Sequence, residues 1–230
     1  MHVSRRDLAK HRETSYDCRM NERPKQASAA SRPDFTESVE PFVLFSDWME
    51  DAKKSEAVDP DAMALATADA NGLPNVRMIL LKGFDERGFV FYSNEGSAKG
   101  AELAANPQAA LVLYWKSLGR QIRARGMIEP VTAGEADTYF ATRSRESRIG
   151  ACCSDQSRPL ASRAILEKRV ALRTKVIAGG DIPRPAYWRG YRLIPIEIEF
   201  WQNGAHRLHD RVVFRRDGEA GAWDKTRLYP

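Results

Sequence analysis

The stretch from residue 63 to residue 93, MALATADANGLPNVRMILLKGFDERGFVFYS, decides the fold class. Asn71-Gly72 lies between two apolar runs, and both residues tolerate the positive φ angles of a tight β-hairpin. A second turn signal, Asp85 to Gly88, precedes the apolar run over 89–93. The pattern therefore predicts three antiparallel strands that pair in sequence order, as a meander.

Helices and further strands flank this stretch. In residues 41–52 the apolar side chains recur at helical spacing, which predicts an amphipathic helix that packs on the body of the protein. Over 194–200, Ile and Phe alternate with Pro and Glu, which predicts a half-buried strand with Ile194, Ile196 and Ile198 facing the core. The remaining predicted elements are helices over 97–105, 133–153 and 159–178 and strands over 109–115, 120–129, 207–215 and 223–228.

Six or seven strands joined mostly by short turns, with helices inserted between them, are typical of a mainly β (α+β) fold, an antiparallel barrel with helical decoration. Neither G-x-G-x-x-G nor G-x-x-x-x-G-K-[ST] occurs, which disfavours a Rossmann or P-loop nucleotide site. The His, Cys and acidic residues do not have the spacing of a metal site, so no metal is expected.

Composition and charge limit the classes of partner. The 230 residues are 43% hydrophobic and 29% charged, with a formal net charge of +5, as expected for a folded globular protein. Residues 1–33 hold eight Lys and Arg against four acidic residues and few large apolar side chains. They predict a mobile basic N-terminal arm before one catalytic domain at 34–230. Such an arm is more often a solvated tail than a polyanion-binding segment, so no nucleic-acid partner is expected.

The same composition bears on the compartment. The longest apolar run, Ala109 to Trp115, is far shorter than the roughly 20 residues of a membrane-spanning helix. The N-terminus has no apolar stretch typical of a signal peptide, and three cysteines without a C-x-x-C pair encode neither a disulfide framework nor a zinc knuckle. These features predict a cytoplasmic protein with no membrane partner.

A stripe of polar side chains indicates a binding site on the helix predicted over 133–153. Tyr139, Arg143 and Ser147 lie at i, i+4 and i+8, within an arc of about 80° on a continuous helix. Three hydrogen-bond donors on one stripe suit a phosphate. An exposed Tyr–Arg pair has the same spacing, so the stripe alone leaves both interpretations open.

Two further groups of basic residues lie on predicted strands. If the chain is extended from residue 206, Arg207, His209 and Arg211 share one face, which needs either a carboxylate on a neighbouring strand or a bound anion. Arg77 and Lys82 are five residues apart, so strict alternation sends them to opposite faces. Together these residues indicate anion and phosphate binding without an obvious nucleophile, which suits a phosphorylated cofactor that carries its own chemistry.

Several segments, in the right order, resemble the pyridoxine 5′-phosphate oxidase family, the FMN-dependent enzymes of vitamin B6 metabolism. These segments are RMILLKGFDERGFVFYSNEGSAKG (77–100), RQIRARG (120–126), YFATRSRESRIGACCSDQS (139–157), EFWQNGAHRLHDRVVFRR (199–216) and WDKTRLYP (223–230). The resemblance runs from about residue 35 to the C-terminus. It implies an FMN-binding split β-barrel and a homodimer with FMN at the subunit interface.

Carried over position by position, the resemblance implies roles for particular residues. Arg207 and His209 would be catalytic and lie against the pyridine ring of the substrate. The substrate phosphate would be held by Lys82, Tyr139, Arg143 and Ser147. The implied FMN contacts are Arg77, Met78, Ile79, Leu80, Leu81, Lys82, Tyr92, Ser93, Lys99, Gln121, Gln156, Ser157, Trp201 and Arg211.

The reaction implied by the resemblance is oxidation of pyridoxine or pyridoxamine 5′-phosphate to pyridoxal 5′-phosphate, with O2 as acceptor, H2O2 as product and NH3 released from the amine. The chain departs from the family at 97–100, where S-A-K-G replaces the common S-R-K-G, so Ala98 offers no side-chain contact to the FMN phosphate. Cys152-Cys153 also replaces a bulkier pair. Two alternatives are a related flavin split-barrel reductase acting on another substrate and a non-enzymatic protein that binds a phosphate ligand.

Overall fold

The computed structural model describes residues 34–230; the predicted basic arm, residues 1–33, lies outside the described residues. The described helices are α1 (Pro41–Ser55), α2 (Ala98–Ala105), α3 (Ala133–Thr142), α4 (Arg145–Cys153) and α5 (Arg163–Ile177). The described strands are β1 (Ala62–Ala68), β2 (Pro74–Leu80), β3 (Gly83–Asp85), β4 (Gly88–Asn94), β5 (Gln108–Trp115), β6 (Arg120–Pro130), β7 (Trp188–Gln202), β8 (Asp210–Arg215) and β9 (Asp224–Leu228). Over residues 34–230, no helix combines the length and the apolar character needed to cross a bilayer.

The strands form one antiparallel sheet. Its order is β2-β1-β5-β6-β7-β4-β3, while β8 pairs with the second half of β7 and β9 pairs with β8. The helices are inserted between the strands in sequence and do not alternate with them one by one. This arrangement confirms the predicted mainly β class with inserted helices.

The hairpin of β1 and β2 forms as predicted around Asn71-Gly72, where Gly72 has a φ of 82°. The meander, however, is wrong: β2 lies at one end of the sheet, whereas β4 pairs with β7 near the other end. After β2 the chain crosses between these ends, and the N–H of Lys82 donates to the carbonyl of Val90 at 2.8 Å. Side-chain alternation specifies which face a strand buries but not its partner, so sequence order was not a sufficient guide.

A bulge in the long pair β6–β7 helps to curl the sheet. The register shifts after Arg125, which leaves Ile196 as the extra residue on β7. Gly126 is required at this point because a Cβ atom would lie 1.9 Å from the carbonyl oxygen of Ile194. Ile196 is 42% exposed, so the prediction that it faces the core is wrong. Bulges increase the local twist, which favours closure toward a barrel.

The helix predicted over 41–52 fills the barrel core. In α1, Phe45, Trp48 and Met49 are buried as predicted. The ring of Phe45 meets Phe89 at 4.9 Å, and the ring of Trp48 meets Phe200 at 5.3 Å, both in edge-on geometry. A second apolar cluster lies among α3, α4, α5 and the start of β7, and it fixes the two helices that carry predicted phosphate ligands. Its buried members are Phe140, Ile149, Cys153, Ile182 and Trp188.

The helix predicted over 133–153 is in fact two helices. α3 ends at Thr142, Arg143 has an extended ψ of 150°, and α4 begins after Ser144. The break occurs because Ser144 caps α4: its Oγ accepts a hydrogen bond from the N–H of Ser147 at 3.2 Å. The continuous helical stripe of Tyr139, Arg143 and Ser147 is therefore wrong.

The strand predicted from residue 207 begins three residues later. Ala205–Arg207 forms a single 3-10 turn with positive φ angles, 54° and 64°, at its last two residues, and β8 starts at Asp210. Positive φ interrupts an extended strand. The alternation that places Arg207, His209 and Arg211 on one face therefore does not apply, and Arg207 lies on an exposed turn.

Candidate functional site

Three aromatic rings form a wall where β4, α3 and β7 meet. The ring of Tyr92 stacks on that of Tyr139, with centroids 4.1 Å apart, and on that of Trp188, at 5.1 Å. The guanidinium carbon of Arg143 lies 5.2 Å from the centroid of the Trp188 ring. This aromatic wall, defined as Tyr92, Tyr139 and Trp188, thus brings two predicted phosphate ligands together with one predicted FMN contact, despite the helix break.

Arg143 gives the aromatic wall its electrostatic character. Its Nη1 is buried and has no hydrogen-bond partner among residues 34–230. Burial lowers the pKa of Arg143 from its ordinary value. Because a buried N–H without an acceptor costs about 1–3 kcal/mol, and more when charged, an anion beside Nη1 would relieve a real penalty. Ser147 is exposed in α4, and its hydroxyl oxygen accepts a hydrogen bond from Ser144 at 3.0 Å.

A second group of predicted FMN contacts gathers at the start of α2. Lys99 is only 9% exposed, and its ammonium group donates to the side-chain oxygen of Gln156 at 2.9 Å. The N–H of Ala98 donates to the hydroxyl of Ser157 at 3.1 Å. Burial lowers the pKa of Lys99, and the nearby positive charge of Arg77 adds to the effect. The Lys99 cluster, defined as Lys99, Gln156 and Ser157, would therefore be stabilised by an anion.

Arg77 and Lys82 have separate carboxylate partners. Arg77 forms an ion pair with Glu102 at 2.9 Å, and Lys82 forms one with Asp61 at 2.6 Å. The two cations thus have different partners, and because β2 ends at Leu80, strand alternation does not extend to Lys82. The other predicted FMN contacts on β2, after it and on β4 differ in exposure: Met78 and Leu80 are exposed, Ile79 is half-buried, and Leu81 and Ser93 are buried.

The third group lies near the end of β7. Strand pairing aligns Gln121 of β6, Trp201 of β7 and Arg211 of β8 in one row across the sheet. The ring of His209 lies 4.6 Å from that of Trp201, and its Nδ1 accepts a hydrogen bond from the N–H of Gly204 at 3.2 Å. A neutral His209 therefore carries its proton on Nε2, which makes Nε2 the donor toward a ligand.

A carboxylate on the neighbouring strand meets Arg211. Glu199, 3% exposed, accepts hydrogen bonds from Nε and Nη2 of Arg211 at 3.1 and 3.0 Å. The sequence left open whether a carboxylate on a neighbouring strand or a bound anion pairs with the cationic face. At Arg211, the structure shows the carboxylate. Glu199 was not predicted as a functional residue, because an acid alternating with apolar residues is typical of a solvated face. Trp188 was not predicted either, because it lies in no recognised motif.

Within a single chain, the predicted substrate ligands lie near opposite ends of β7. Tyr92 pairs with Gly190 near the start of β7, beside the aromatic wall, whereas Trp201 lies near the end of that strand. At about 3.3 Å per residue, the strand from position 190 to position 201 is about 36 Å long. Arg143 therefore stands near the first end, and Arg207 follows the second.

Comparison with known proteins agrees on one family. Residues 49–176 match the family model described as pyridoxamine 5′-phosphate oxidase. Residues 188–230 match the model described as the pyridoxine 5′-phosphate oxidase C-terminal dimerisation region. The pyridoxine/pyridoxamine 5′-phosphate oxidase of Azorhizobium caulinodans is 59% identical over 197 residues, which cover 86% of this chain and 93% of that protein.

Solved structures lead to the same conclusion. PhzG from Burkholderia lata, determined in complex with tetrahydrophenazine-1-carboxylic acid, has a TM-score of 0.81 and 34% identity, over 88% of this chain and 98% of that one. A pyridoxamine 5′-phosphate oxidase-related, FMN-binding protein from Nostoc punctiforme has a TM-score of 0.68 at 18% identity, over 84% of this chain and 99% of that one. At this identity, the similarity concerns the fold alone. Together they confirm the predicted split-barrel fold. The chain belongs to the pyridoxine/pyridoxamine 5′-phosphate oxidase family.

Proposed function

We propose that this chain is an FMN-dependent oxidase that converts pyridoxine 5′-phosphate and pyridoxamine 5′-phosphate to pyridoxal 5′-phosphate. The alcohol loses two hydrogens, and O2 takes them up as H2O2; the amine in addition consumes one water and releases NH3. The observation that carries the proposal is the buried Nη1 of Arg143, which lacks an acceptor within residues 34–230 and lies beside the aromatic wall. The 59% identity to a named oxidase supports the same substrates.

The residues present suit FMN. The Lys99 cluster and the nearby Arg77 offer an ammonium, a hydroxyl and a guanidinium, the donor set that a phosphate monoester prefers. At the other end of β7, the row of Gln121, Trp201 and Arg211 offers an amide, an indole and a second guanidinium. When bound, FMN would supply an acceptor for the hydride at C4′ of the substrate and a route for the electrons to dioxygen. The chain's own residues bind and orient the two ligands.

The substrate phosphate is assigned to the aromatic wall. Arg143 donates from Nη1, and Tyr139, Ser147 and Lys82 complete the donor set. The guanidinium carbon of Arg143 lies 5.2 Å from the centroid of the Trp188 ring, and Nη1 is buried, where a charge-assisted hydrogen bond is stronger than on an exposed surface. Anchoring the phosphate holds the substrate in the site, and this contact contributes chiefly to ground-state binding.

Arg207 and His209 are assigned to the pyridine ring. Arg207 is exposed on its turn and presents a positive charge to the face of the pyridine ring, which holds and orients the ring for the reaction. His209, whose Nδ1 accepts from Gly204, donates a hydrogen bond from Nε2 to the substituent at C4′ and orients it. The two residues are therefore the proposed catalytic residues of this chain.

The separation along β7 implies that a second copy completes each site. In a homodimer with a two-fold axis, the Arg207 turn of one protomer reaches the aromatic wall of its partner. An exposed apolar face supports this arrangement, since Val76 and Met78 of β2 are each 65% exposed and Tyr114 of β5 is 50% exposed. Met78 is also an expected FMN contact, which supports FMN at the interface. The match of residues 188–230 to a dimerisation region is consistent with both assignments.

The domain assignment follows from the same distribution of residues. Every proposed ligand residue lies between Arg77 and Arg211, and the family matches cover 49–176 and 188–230. Residues 34–230 are accordingly assigned to one catalytic domain, and residues 1–33 to an arm outside it. Removing residues 1–33 should leave FMN binding unchanged within about twofold, because they supply none of these ligands.

The visible spectrum of the purified protein, recorded without air, tests the function directly. Before addition of pyridoxine 5′-phosphate, we expect the yellow absorption of a bound flavin. Addition of the substrate should bleach it, and admission of air should restore it with release of H2O2. A flavin that neither phosphate vitamer bleaches would contradict the proposal, and a colourless protein that binds pyridoxal 5′-phosphate would favour a non-enzymatic binder.

The fold similarity to PhzG motivates one other candidate, a flavin split-barrel enzyme that acts on a different substrate. Identity to the Azorhizobium oxidase is 59%, against 34% to PhzG, which favours the B6 phosphates. A substrate panel with peroxide detection separates the two. Turnover of a reduced phenazine carboxylic acid, together with inactivity toward both phosphate vitamers, would favour the alternative.

A further inference from the structure

Two buried or half-buried glutamates on the outward face of β7 each bind two arginines from the neighbouring strands. The side-chain exposures of the two carboxylates are low, 14% for Glu197 and 4% for Glu199. Each glutamate therefore pairs its single negative charge with two guanidinium groups in a place with little solvent. We call these groups the Glu197 triad, Arg125–Glu197–Arg215, and the Glu199 triad, Arg123–Glu199–Arg211.

The two triads differ in register. Glu197 stands directly opposite its arginine partner on β8. Glu199 stands opposite Val213, so its carboxylate reaches along the sheet to Arg211, the strand partner of Trp201. Glu199 therefore binds Arg211, which belongs to the row of residues expected to contact FMN. Glu197 binds no member of that row.

The contacts of Arg211 specify its orientation. Nε and Nη2 donate to the two oxygens of Glu199, at 3.1 and 3.0 Å, and Nη1 donates to the carbonyl of Tyr229 at 2.9 Å. A two-pronged carboxylate contact holds the guanidinium plane as well as its position. Three of the five N–H groups of the guanidinium donate to these partners. Within the contacts of residues 34–230, the other two remain available to a ligand.

The charge state of Glu199 suits this task. Burial by itself raises the pKa of Glu199, but hydrogen bonds from Arg211 and Arg123 outweigh burial and hold the pKa below its ordinary value. The same bond raises the pKa of Arg211. Glu199 is therefore ionised at neutral pH, and its contact with Arg211 joins two full charges.

We propose that Glu199 is a positioning residue for FMN, which holds the guanidinium of Arg211 in the orientation that contacts the cofactor. Glu199 is not itself assigned as an FMN contact, because its two oxygens already accept three hydrogen bonds from Arg211 and Arg123. The inference rests on the proposed function, in particular on Arg211 as an FMN contact. Glu197 has the same chemistry and the same kind of location but holds no expected ligand residue, so it is the matched control.

The test measures FMN binding to the apoprotein through quenching of flavin fluorescence. Glu199→Gln keeps the shape of the side chain and removes its charge, and we expect the dissociation constant for FMN to rise at least about tenfold. Glu197→Gln removes the same charge from the neighbouring triad and should change the constant less than about twofold. Equal weakening by both variants would overturn the proposal, since it would indicate a general effect on the sheet.

A double-mutant cycle tests whether Glu199 acts through Arg211. In the Arg211→Met background, Glu199→Gln should have almost no further effect on FMN binding, because there is no guanidinium left to orient. The same loss in both backgrounds, or no loss in either, would overturn the proposal. Wild-type apoprotein that fails to bind FMN would instead contradict the proposed function.

A conservative variant keeps the test valid if Glu199→Gln does not fold. Glu199→Asp retains the charge and withdraws the carboxylate by one methylene. We expect at least about fivefold weaker FMN binding with a thermal midpoint close to that of wild type, because the orientation of Arg211 and not the net charge is disturbed. Unchanged FMN affinity in this folded variant would overturn the proposal.

Discussion

One guanidinium nitrogen, Nη1 of Arg143, is the strongest indication of the ligand that this protein binds. Nη1 of Arg143 is buried beside Trp188, and no residue between 34 and 230 accepts its hydrogen bonds. Most buried polar groups in proteins are paired, so a buried guanidinium nitrogen without an acceptor points to a missing acceptor, such as an anion. Tyr139 lies on the same aromatic wall, which makes a phosphate the simplest ligand for both residues.

Removing this guanidinium should weaken substrate binding more than catalysis. For Arg143→Ala we expect KM for pyridoxine 5′-phosphate to rise about tenfold to a hundredfold, with kcat changed by less than about threefold, because the phosphate contact is largely the same in the ground and transition states. Steady-state kinetics on the FMN-loaded enzyme measure both constants. The control is Arg145→Ala, since Arg145 donates to the carbonyl of Gly180. A fall in kcat at unchanged KM would remove Arg143 from phosphate anchoring.

A substitution at Ala98 tests the position of the FMN phosphate by adding a hydrogen-bond donor instead of removing one. Ala98 is exposed at the start of α2, directly before the buried Lys99, so a long side chain is accommodated. Ala98→Arg should tighten FMN binding by about 1.5–3 kcal/mol, roughly tenfold to a hundredfold, by adding a charge-assisted hydrogen bond. Ala104→Arg, on the same helix but away from the Lys99 cluster, adds the same charge and should have little effect. Equal affinity changes in the two variants would mean that only net charge matters.

At the scale of secondary structure, local signals were sufficient where one element depends on its own residues. The Asn71-Gly72 turn and the helix containing Phe45 and Trp48 follow from backbone preference and period, and both are present. The pairing of β4 with β7 could not be predicted, because partners distant in sequence leave no mark on the period of either strand. The barrel class was predictable from the number of strands and the turns between them.

The candidate site was predicted in part for the same reason. Tyr139 and Arg143 do meet, but through Trp188 and not along one helix, because Ser144 prefers to cap α4 over continuing α3. The strand face around Arg207 failed because two residues of the turn adopt positive φ, which side-chain alternation does not reveal. Glu199 was missed because burial of an acid depends on arginines that other strands deliver.

The carboxylates of β7 make the sheet sensitive to acid. Hydrogen bonds from arginines outweigh burial and lower the pKa of Glu197 and of Glu199 below the ordinary value of 4.5. A group with a lowered pKa stabilises the folded state above its unfolded pKa and loses this contribution as pH falls through the folded pKa. We therefore expect the urea midpoint of the apoprotein to fall as pH drops from about 5 toward about 3.

Replacing both carboxylates isolates their share of this effect. Glu197→Gln/Glu199→Gln should be less stable than wild type near pH 7, and the difference should shrink as pH falls below about 4.5, where protonation of the unfolded chain begins to remove the contribution of the carboxylates. Urea denaturation followed by circular dichroism at several pH values measures the trend. A stability difference that stays constant with pH would show that the carboxylates contribute through shape and not through charge.

At the scale of the whole molecule, β7 is so long that the predicted substrate ligands at its two ends do not meet within one protomer. Arg143 and Arg207 stand near opposite ends of a strand that spans Trp188–Gln202, yet both are expected to contact one small substrate. The proposed two-fold dimer would resolve this separation if the Arg207 end of one protomer lies beside the Arg143 end of its partner. The exposed Val76 and Met78, together with the dimerisation region over 188–230, are consistent with such an assembly.

Subunit mixing tests this shared site most directly. Arg207→Met should lower kcat/KM at least about tenfold while FMN stays bound, and Arg143→Ala is also impaired at low substrate concentration. A mixed dimer, isolated by two different affinity tags after coexpression, contains one site with both changes and one intact site if each site takes residues from both subunits. We predict that this mixed dimer recovers about half of the wild-type kcat/KM; activity no higher than the mean of the two parent variants would contradict a site shared between subunits.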